Sequence, residues 1–248
     1  MDKLIYTAMT GASQAMEQQA TTSQNLANAN TNGFRAQIDS FQAIPVMGPG
    51  SLKTRTQVSN ATVGTSFSMG PISQTGRDLD VALQGPGWIA VRSEDGSEAY
   101  TRNGSFEVSP AGILITQAGL QVVGDGGPIT IPPDSKLIVG KDGTLSTLIP
   151  GIVPAAVNAL GRIKLVNPPE ENMVRGDDGL FRLKQGGVAP LDPNLTLVGG
   201  ALEGSNVNLV DSMVRMVNLA RSYDTQITMI KTAQDNAAKS SQIMNLNS

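Results

Sequence analysis

The sequence contains neither cysteine nor histidine, so any chemistry must come from carboxylates, hydroxyls and glycine-rich loops. That composition removes thiol nucleophiles, imidazole bases and the common zinc-ligand sets together. Gly124-Asp125-Gly126-Gly127 has the composition of a phosphate loop. Pro128 and an extended stretch follow it, so no helix N-terminus is offered to a phosphate, and it reads as a turn. Arg175-Gly176-Asp177-Asp178-Gly179 holds an Arg-Gly-Asp tripeptide and an acidic doublet. A calcium loop needs several spaced oxygen ligands, so this also reads as a tight turn. Paired carboxylates such as Glu94/Asp95 and Glu170/Glu171 could hydrolyse glycosides, but adjacent strand residues face opposite ways and both pairs fall in loop-like sequence. Trp88 sits in an apolar run and reads as core rather than as a sugar platform. The expectation is a non-enzymatic chain with no catalytic, metal or cofactor site.

What these residues leave is architecture. The chain has 248 residues, enough for one or two domains, with 40% hydrophobic but only 4% aromatic content, so its cores are aliphatic. The 27 glycines and 14 prolines point to many turns. A net charge of −3 without a basic run disfavours nucleic acid and anionic membranes as partners. No apolar run reaches a membrane span, and the most apolar region, Leu148 to Leu160, contains Pro150 and Pro154. The first residues lack the basic and apolar regions of a signal peptide, so work outside the cytosol implies an export route without a cleaved signal.

The ends of the chain are periodic. From Leu209, the positions Met213, Met216, Ala220, Tyr223, Ile227, Ile230, Gln234, Ala237, Ser241 and Met244 follow at alternating spacings of four and three. That is a long helix with a narrow coiled-coil seam, roughly 55 Å from end to end. Asn208 is placed to cap it. Near the N-terminus, Asp2 can cap a helix in which Ile5, Met9, Ala12, Met16 and Leu26 share a weaker, small-residue stripe, and Gly33 after Asn30-Thr31-Asn32 is placed to stop it with a left-handed residue. An isolated helix this polar is marginal in water. The two terminal helices are therefore expected to pair as a coiled-coil-like module. Its assembly interface would be formed by Ile5, Met9, Ala12, Met16 and Leu26 together with Met213, Met216, Ala220, Tyr223, Ile227, Ile230, Ala237 and Met244.

The middle is different. Residues 36–75 read as an extended connection rich in glycine and proline. From Leu79 onward short apolar runs alternate with turns, with glycines at 96, 104, 112 and 119, which is the rhythm of an antiparallel meander or barrel. Arg102-Asn103-Gly104 has the composition of a type I′ hairpin turn. The predicted fold is α+β. Residues 1–35 and 206–248 form a terminal helical module, 36–75 connect, and 76–205 form a β-rich domain.

Three ordered motifs carry a resemblance to a known family. Asn25-Leu26-Ala27-Asn28, then Thr31, Gly33, Phe34 and Arg35, resembles the N-terminal signature of bacterial flagellar rod and hook proteins. Tyr100-Thr101-Arg102-Asn103-Gly104-Ser105-Phe106 is similar to part of the β-domain of that family. Glu203-Gly204-Ser205-Asn206-Val207-Asn208 resembles the opening of its C-terminal helix. Trp88 departs from the family, which more often has Phe there. The resemblance is nearest to the proximal rod, with a distal rod or hook-type subunit as the alternative. It implies a helical polymer in the basal body that crosses the periplasm, transmits torque and encloses the export channel. It also implies export through the flagellar type III apparatus. Copies of the chain and other rod proteins would be its neighbours, with ring proteins around them. From another class, a cell-wall glycan-binding or hydrolysing protein would instead require a cleft with converging carboxylates.

Overall fold

The computed structural model describes residues 2–45, 56–132, 136–148 and 157–245. The chain divides into two compact units, and it passes between them at 29/30, 35/36, 66/67 and 206/207.

Unit 1 contains helix α1 (Asp2–Ala27), strands β1 (Gln37–Pro45) and β2 (Thr56–Thr65), and helix α2 (Leu209–Asn245). The two helices pack on each other, and α1 also packs on the antiparallel β1–β2 pair. That strand pair falls within the stretch read from sequence as a connection. The face α1 buries is made of Ala8, Ala12, Ala15 and Thr22. Small residues let the backbones approach: a Cβ on Gly11 would stand 3.1 Å from the Gln226 amide carbon of α2. Asn208 caps α2 as expected, its Oδ1 accepting the N–H groups of Val210 and Asp211 at 3.0 and 3.2 Å. Among the described residues, no helix is long and apolar enough to cross a membrane.

Unit 2 is antiparallel throughout its strand pairs. Its strands are β3 (Ile72–Gln74), β4 (Val81–Gln84), β5 (Trp88–Arg92), β6 (Glu98–Thr101), β7 (Phe106–Val108), β8 (Leu114–Thr116), β9 (Gln121–Gly124), β10 (Gly127–Pro128), β11 (Lys136–Val139), β12 (Thr144–Leu148), β13 (Val157–Arg162), β14 (Leu165–Val166), β15 (Met173–Arg175), β16 (Phe181–Leu183), β17 (Thr196–Gly199) and β18 (Ala201–Glu203). The main sheet runs β15-β16-β6-β5-β9-β8-β7, with β14 beside β5 and β10 beside β9. A second sheet runs β11-β12-β13, and β17–β4 and β18–β3 are pairs. The meander survives as β7-β8-β9, but no sheet of the described residues closes into a barrel. Its strands are short, from two to six residues, and the chain leaves one sheet for another before a ring can form. Pro150 and Pro154 lie outside the described residues.

Central strand β5 buries both faces. Ile89 enters an aliphatic core with Leu83, Phe106, Leu114, Leu145 and Leu197. Trp88 and Ala90 face a second cluster with Tyr100, Val166, Met173 and Phe181. Trp88 and Phe181 lie 4.4 Å apart by ring centroids, and Phe67 meets Trp88 edge-on at 6.0 Å. Trp88 is thus core. A strand buried on both sides reads as an unbroken apolar run, as Trp88–Val91 does.

Candidate assembly site and the junction of three motifs

The Asn-Leu-Ala-Asn motif acts first within unit 1. Asn25 Nδ2 donates to Gln37 O at 2.8 Å, and Gln37 N–H donates to Asn25 Oδ1, also at 2.8 Å. One amide side chain thereby imitates the two-way pairing of a strand and fixes the start of β1 against α1. Thr21 adds a hydroxyl bond to Asp39 at 2.9 Å. The helix ends at Ala27, and Asn28 and Ala29 close a tightened last turn onto the carbonyls of Asn25 and Leu26. Gly33 is left-handed, with φ of 71°, but it stands several residues beyond the helix C-cap. Its need is tertiary: a Cβ there would overlap the backbone of Arg102 and Asn103.

In unit 2 the three motifs converge. Gly33 N–H donates to Glu203 O at 2.8 Å, and Asn206 N–H to Phe34 O at 3.3 Å. Arg35 Nη1 lies 2.7 Å from Glu203 Oε1, and Arg102 Nη1 lies 3.2 Å from Glu203 Oε2. Arg175 covers the buried Phe34 ring, its guanidinium carbon 4.5 Å from the centroid. Burial pulls the pKa of Arg102 down to about 10, with Glu203 opposing the fall and the Arg35 cation adding to it.

The second motif does not make the type I′ hairpin its Asn-Gly suggested. Strands β6 and β7 are not neighbours, and Gly104 is not left-handed. Asn103 N–H is taken by the Thr101 hydroxyl at 3.1 Å, and Asn103 Oδ1 accepts Ser105 N–H at 3.0 Å. Gly104 is required because Val81 passes so close that a Cβ would strike the Val81 carbonyl oxygen. Tyr100 is fully buried, its hydroxyl accepts Ala189 N–H at 2.7 Å, and burial pushes its pKa up to about 12. In the third motif Gly204 N–H reaches Pro71 O at 2.8 Å, Asn206 Nδ2 reaches Ser68 O at 2.9 Å, Ser205 is buried and Val207 half-buried before the Asn208 cap.

The helical positions expected to form the assembly interface divide in two. Ala12 is buried, and Ile5, Leu26, Met216, Ala220, Tyr223, Ile227, Ile230 and Ala237 are half-buried. Met9, Met16 and Met213 are exposed, and the side chain of Met244 lies outside the described residues. On α2 the most covered stripe is Met216, Leu219, Tyr223, Gln226, Ile230, Ala233 and Ala237. It shares Met216, Tyr223, Ile230 and Ala237 with the predicted seam, and only Leu219 and Ala233 on it are buried. The sequence reading missed those two because Ala220 and Gln234, one residue on, fit the heptad spacing equally well. It named Met9 and Met16 but not the rest of the outward stripe they belong to, Tyr6, Met9, Ser13, Met16, Ala20, Ser23 and Ala27, in which every residue is exposed and Tyr6 reaches 68%. Alternating spacings of three and four would have revealed it. On α2, Val210, Met213, Val214 and Val217 are likewise exposed, Val210 at 66%.

The loop candidates are turns. Gly127 and Gly179 have positive φ, and Asp178 is held well below the usual carboxylate range, chiefly by its hydrogen bond from Arg182. Glu94, Asp95, Glu170 and Glu171 are exposed. Among the described residues, no group of three acidic side chains is placed to hold a metal.

Comparison with known proteins agrees with the three motifs. Residues 5–35 match the family model described as "Flagella basal body rod protein", residues 82–147 "Flagellar hook protein FlgE/F/G D1 domain", and residues 198–243 "Flagellar basal body rod FlgEFG protein C-terminal". The chain is 46% identical to the flagellar basal-body rod protein FlgF of Escherichia coli (strain K12), over 99% of this chain and 100% of that protein. It is 45% identical to FlgF of Salmonella typhimurium over the same shares, and 32% identical to FlgG of Buchnera aphidicola subsp. Schizaphis graminum over 89% of this chain and 92% of that one. With relatives this similar along its whole length, the chain belongs to the flagellar basal-body rod protein family, a family of structural proteins rather than enzymes.

Proposed function

We propose that this chain is a structural subunit of the proximal part of the flagellar rod, polymerising helically with copies of itself and with other rod proteins. The FlgF relatives that match over 99–100% of this chain, where the FlgG of Buchnera aphidicola subsp. Schizaphis graminum matches over 89%, favour the proximal position. The observation that carries the polymer reading is an inversion in unit 1: α1 buries alanines and threonine and presents Tyr6, Met9 and Met16 outward, while α2 presents Val210, Met213, Val214 and Val217. Large apolar side chains left in water on two helices are contact surface for neighbours. In the assembly these stripes pair as coiled-coil seams. Contacts that repeat without closing generate an open helix, which suits a drive shaft transmitting torque and enclosing the export channel. Ring proteins surround that shaft, and the type III apparatus delivers its subunits.

The test is a pair of charge substitutions at exposed positions, Met16→Asp and Val214→Asp. Both are expected to keep the helical content and melting temperature of the purified chain while abolishing incorporation into basal bodies and swimming. Ala12→Asp, in the buried face, is expected to lower the melting temperature itself. Swimming at normal protein level with Met16→Asp and Val214→Asp combined would overturn the reading.

A further inference from the structure

Among the described residues, Met9, Met16, Met69, Met213 and Met229 are exposed, Met9 and Met16 at 53% and 57%, while Met173 is buried and Met216 half-buried. Met1, Met47 and the side chain of Met244 lie outside the described residues. Three of the exposed thioethers, Met9, Met16 and Met213, stand in the outward stripes of α1 and α2. On α1 that stripe is otherwise Tyr6, Ser13, Ala20, Ser23 and Ala27, so two thioethers carry its large aliphatic surface. The chain has no cysteine to take a two-electron oxidant first, and its one tryptophan, Trp88, is buried. Methionine sulfur is then the first target of such an oxidant, and on both stripes it lies in the open.

Given the contact role proposed above for these stripes, on which this step rests, we infer that Met9, Met16 and Met213 are an oxidation site that decides whether a free subunit can join the polymer. The oxidant is of the hypochlorous acid class. Its oxygen passes to the thioether sulfur, which loses two electrons and becomes a sulfoxide. The chlorine gains those electrons and leaves as chloride, with release of a proton. A sulfoxide in a packed helix seam buries a strong acceptor that no apolar neighbour satisfies. Two oxygens thus turn the large aliphatic groups of the α1 stripe polar. The fold of the subunit is spared, because α1 buries Ala8, Ala12, Ala15 and Thr22 instead. In the assembled polymer the same sulfurs are covered, so the site is open only before incorporation.

The purified full-length chain is treated with dilute hypochlorous acid, and sulfoxide is located by peptide mass spectrometry. Met9, Met16 and Met213 are expected to oxidise at least about tenfold faster than buried Met173, with helical content and melting temperature kept. Equal rates at Met173, or unfolding as the first oxygens are added, would overturn the proposal. In cells, glutamine stands in for the sulfoxide, being a polar, uncharged helix former of similar length. Met9→Gln, Met16→Gln and Met213→Gln combined are expected to cut incorporation into basal bodies by about tenfold or more. Met9→Leu, Met16→Leu and Met213→Leu combined, and Met69→Gln alone, are expected to keep it. Normal incorporation of the glutamine triple, or its loss in the leucine triple or in Met69→Gln, would overturn the proposal. So would a lower melting temperature of the glutamine triple, which would give the sulfurs a role inside the subunit. If the glutamine triple is incorporated while Met16→Asp with Val214→Asp is not, the contact stripes stand and the oxidation site alone falls. If both are incorporated, the stripe reading falls with it.

Discussion

Single residues in this chain are constrained by what passes beside them more than by local conformation. Gly104 and Gly126 show the contrast, since neither is left-handed. A Cβ at 104 strikes the Val81 carbonyl, whereas at 126 it meets nothing within 4 Å. In urea melts, Gly104→Ala is expected to cost roughly 2–3 kcal/mol or more, as overpacking does, and Gly126→Ala to stay within about 0.5 kcal/mol. Equal effects would show that the strand β4 contact is not what selects glycine. Tyr100 supplies a pH test. Its folded pKa is raised to about 12 from an ordinary value of 10.0, so its stabilising contribution is complete below about pH 10 and is lost as pH rises through about 12. Arg102, depressed to about 10, acts with the opposite sign over that range, so the readout is the difference between wild type and Tyr100→Phe. That difference is expected to favour wild type at neutral pH by about 1–2 kcal/mol, from the hydroxyl bond to Ala189, and to shrink above pH 10. A constant difference up to pH 12 would remove the burial argument. The motifs around these residues were legible in the sequence, but their reasons were not. Asn-Gly at 103–104 suggested a local turn, while the real demand comes from Val81, and Arg35 meets Glu203 from the far end of the chain.

At the scale of elements, periodicity did most of the work. Both terminal helices were legible because spacings of three and four survive in weakly apolar sequence. Strands β5 and β6 belong to the glycine-punctuated rhythm read from sequence, since Glu94-Asp95-Gly96-Ser97 between them is a local turn whose Gly96 has φ of 82°. Not every apolar run became a strand: Ile129–Ile131 makes only a bridge, from Thr130 to Ile113. Strands β1 and β2 were hidden, because their alternation is diluted by serine, glutamine and asparagine. Their position depends on Asn25, which makes two hydrogen bonds to one residue of β1. Asn25→Ala is expected to destabilise unit 1 by about 1–3 kcal/mol, leaving Gln37 unsatisfied, while Asn30→Ala, exposed at the next turn, should be near neutral. Differential hydrogen exchange at β1 amides would measure it, and unchanged protection there would mean that the clamp is dispensable.

The whole molecule divides its labour between the two units. Unit 2 has its own aliphatic and aromatic cores, whereas among the described side chains unit 1 buries mainly alanine and leaves several larger apolar ones outside. In dilute solution, amides of β5, β6 and β9 are expected to exchange slowest, and those of α2 beyond Gln234, where nearly every side chain is exposed, to exchange among the fastest. Polymerisation should then slow α2 selectively. Strong protection along the whole of α2 in a verified monomer would show that the helix needs no neighbour. The lengths of the helices carry one more consequence. α1 has 26 residues and α2 has 37, so at 1.5 Å per residue about 16 Å of α2 extends past anything α1 can cover, in whatever register they lie. A subunit with such an overhang has two unlike ends. In the rod proposed above, that uncovered stretch of α2 is length that only a neighbouring copy can cover, so a subunit leaves part of its own helix for the next one to complete.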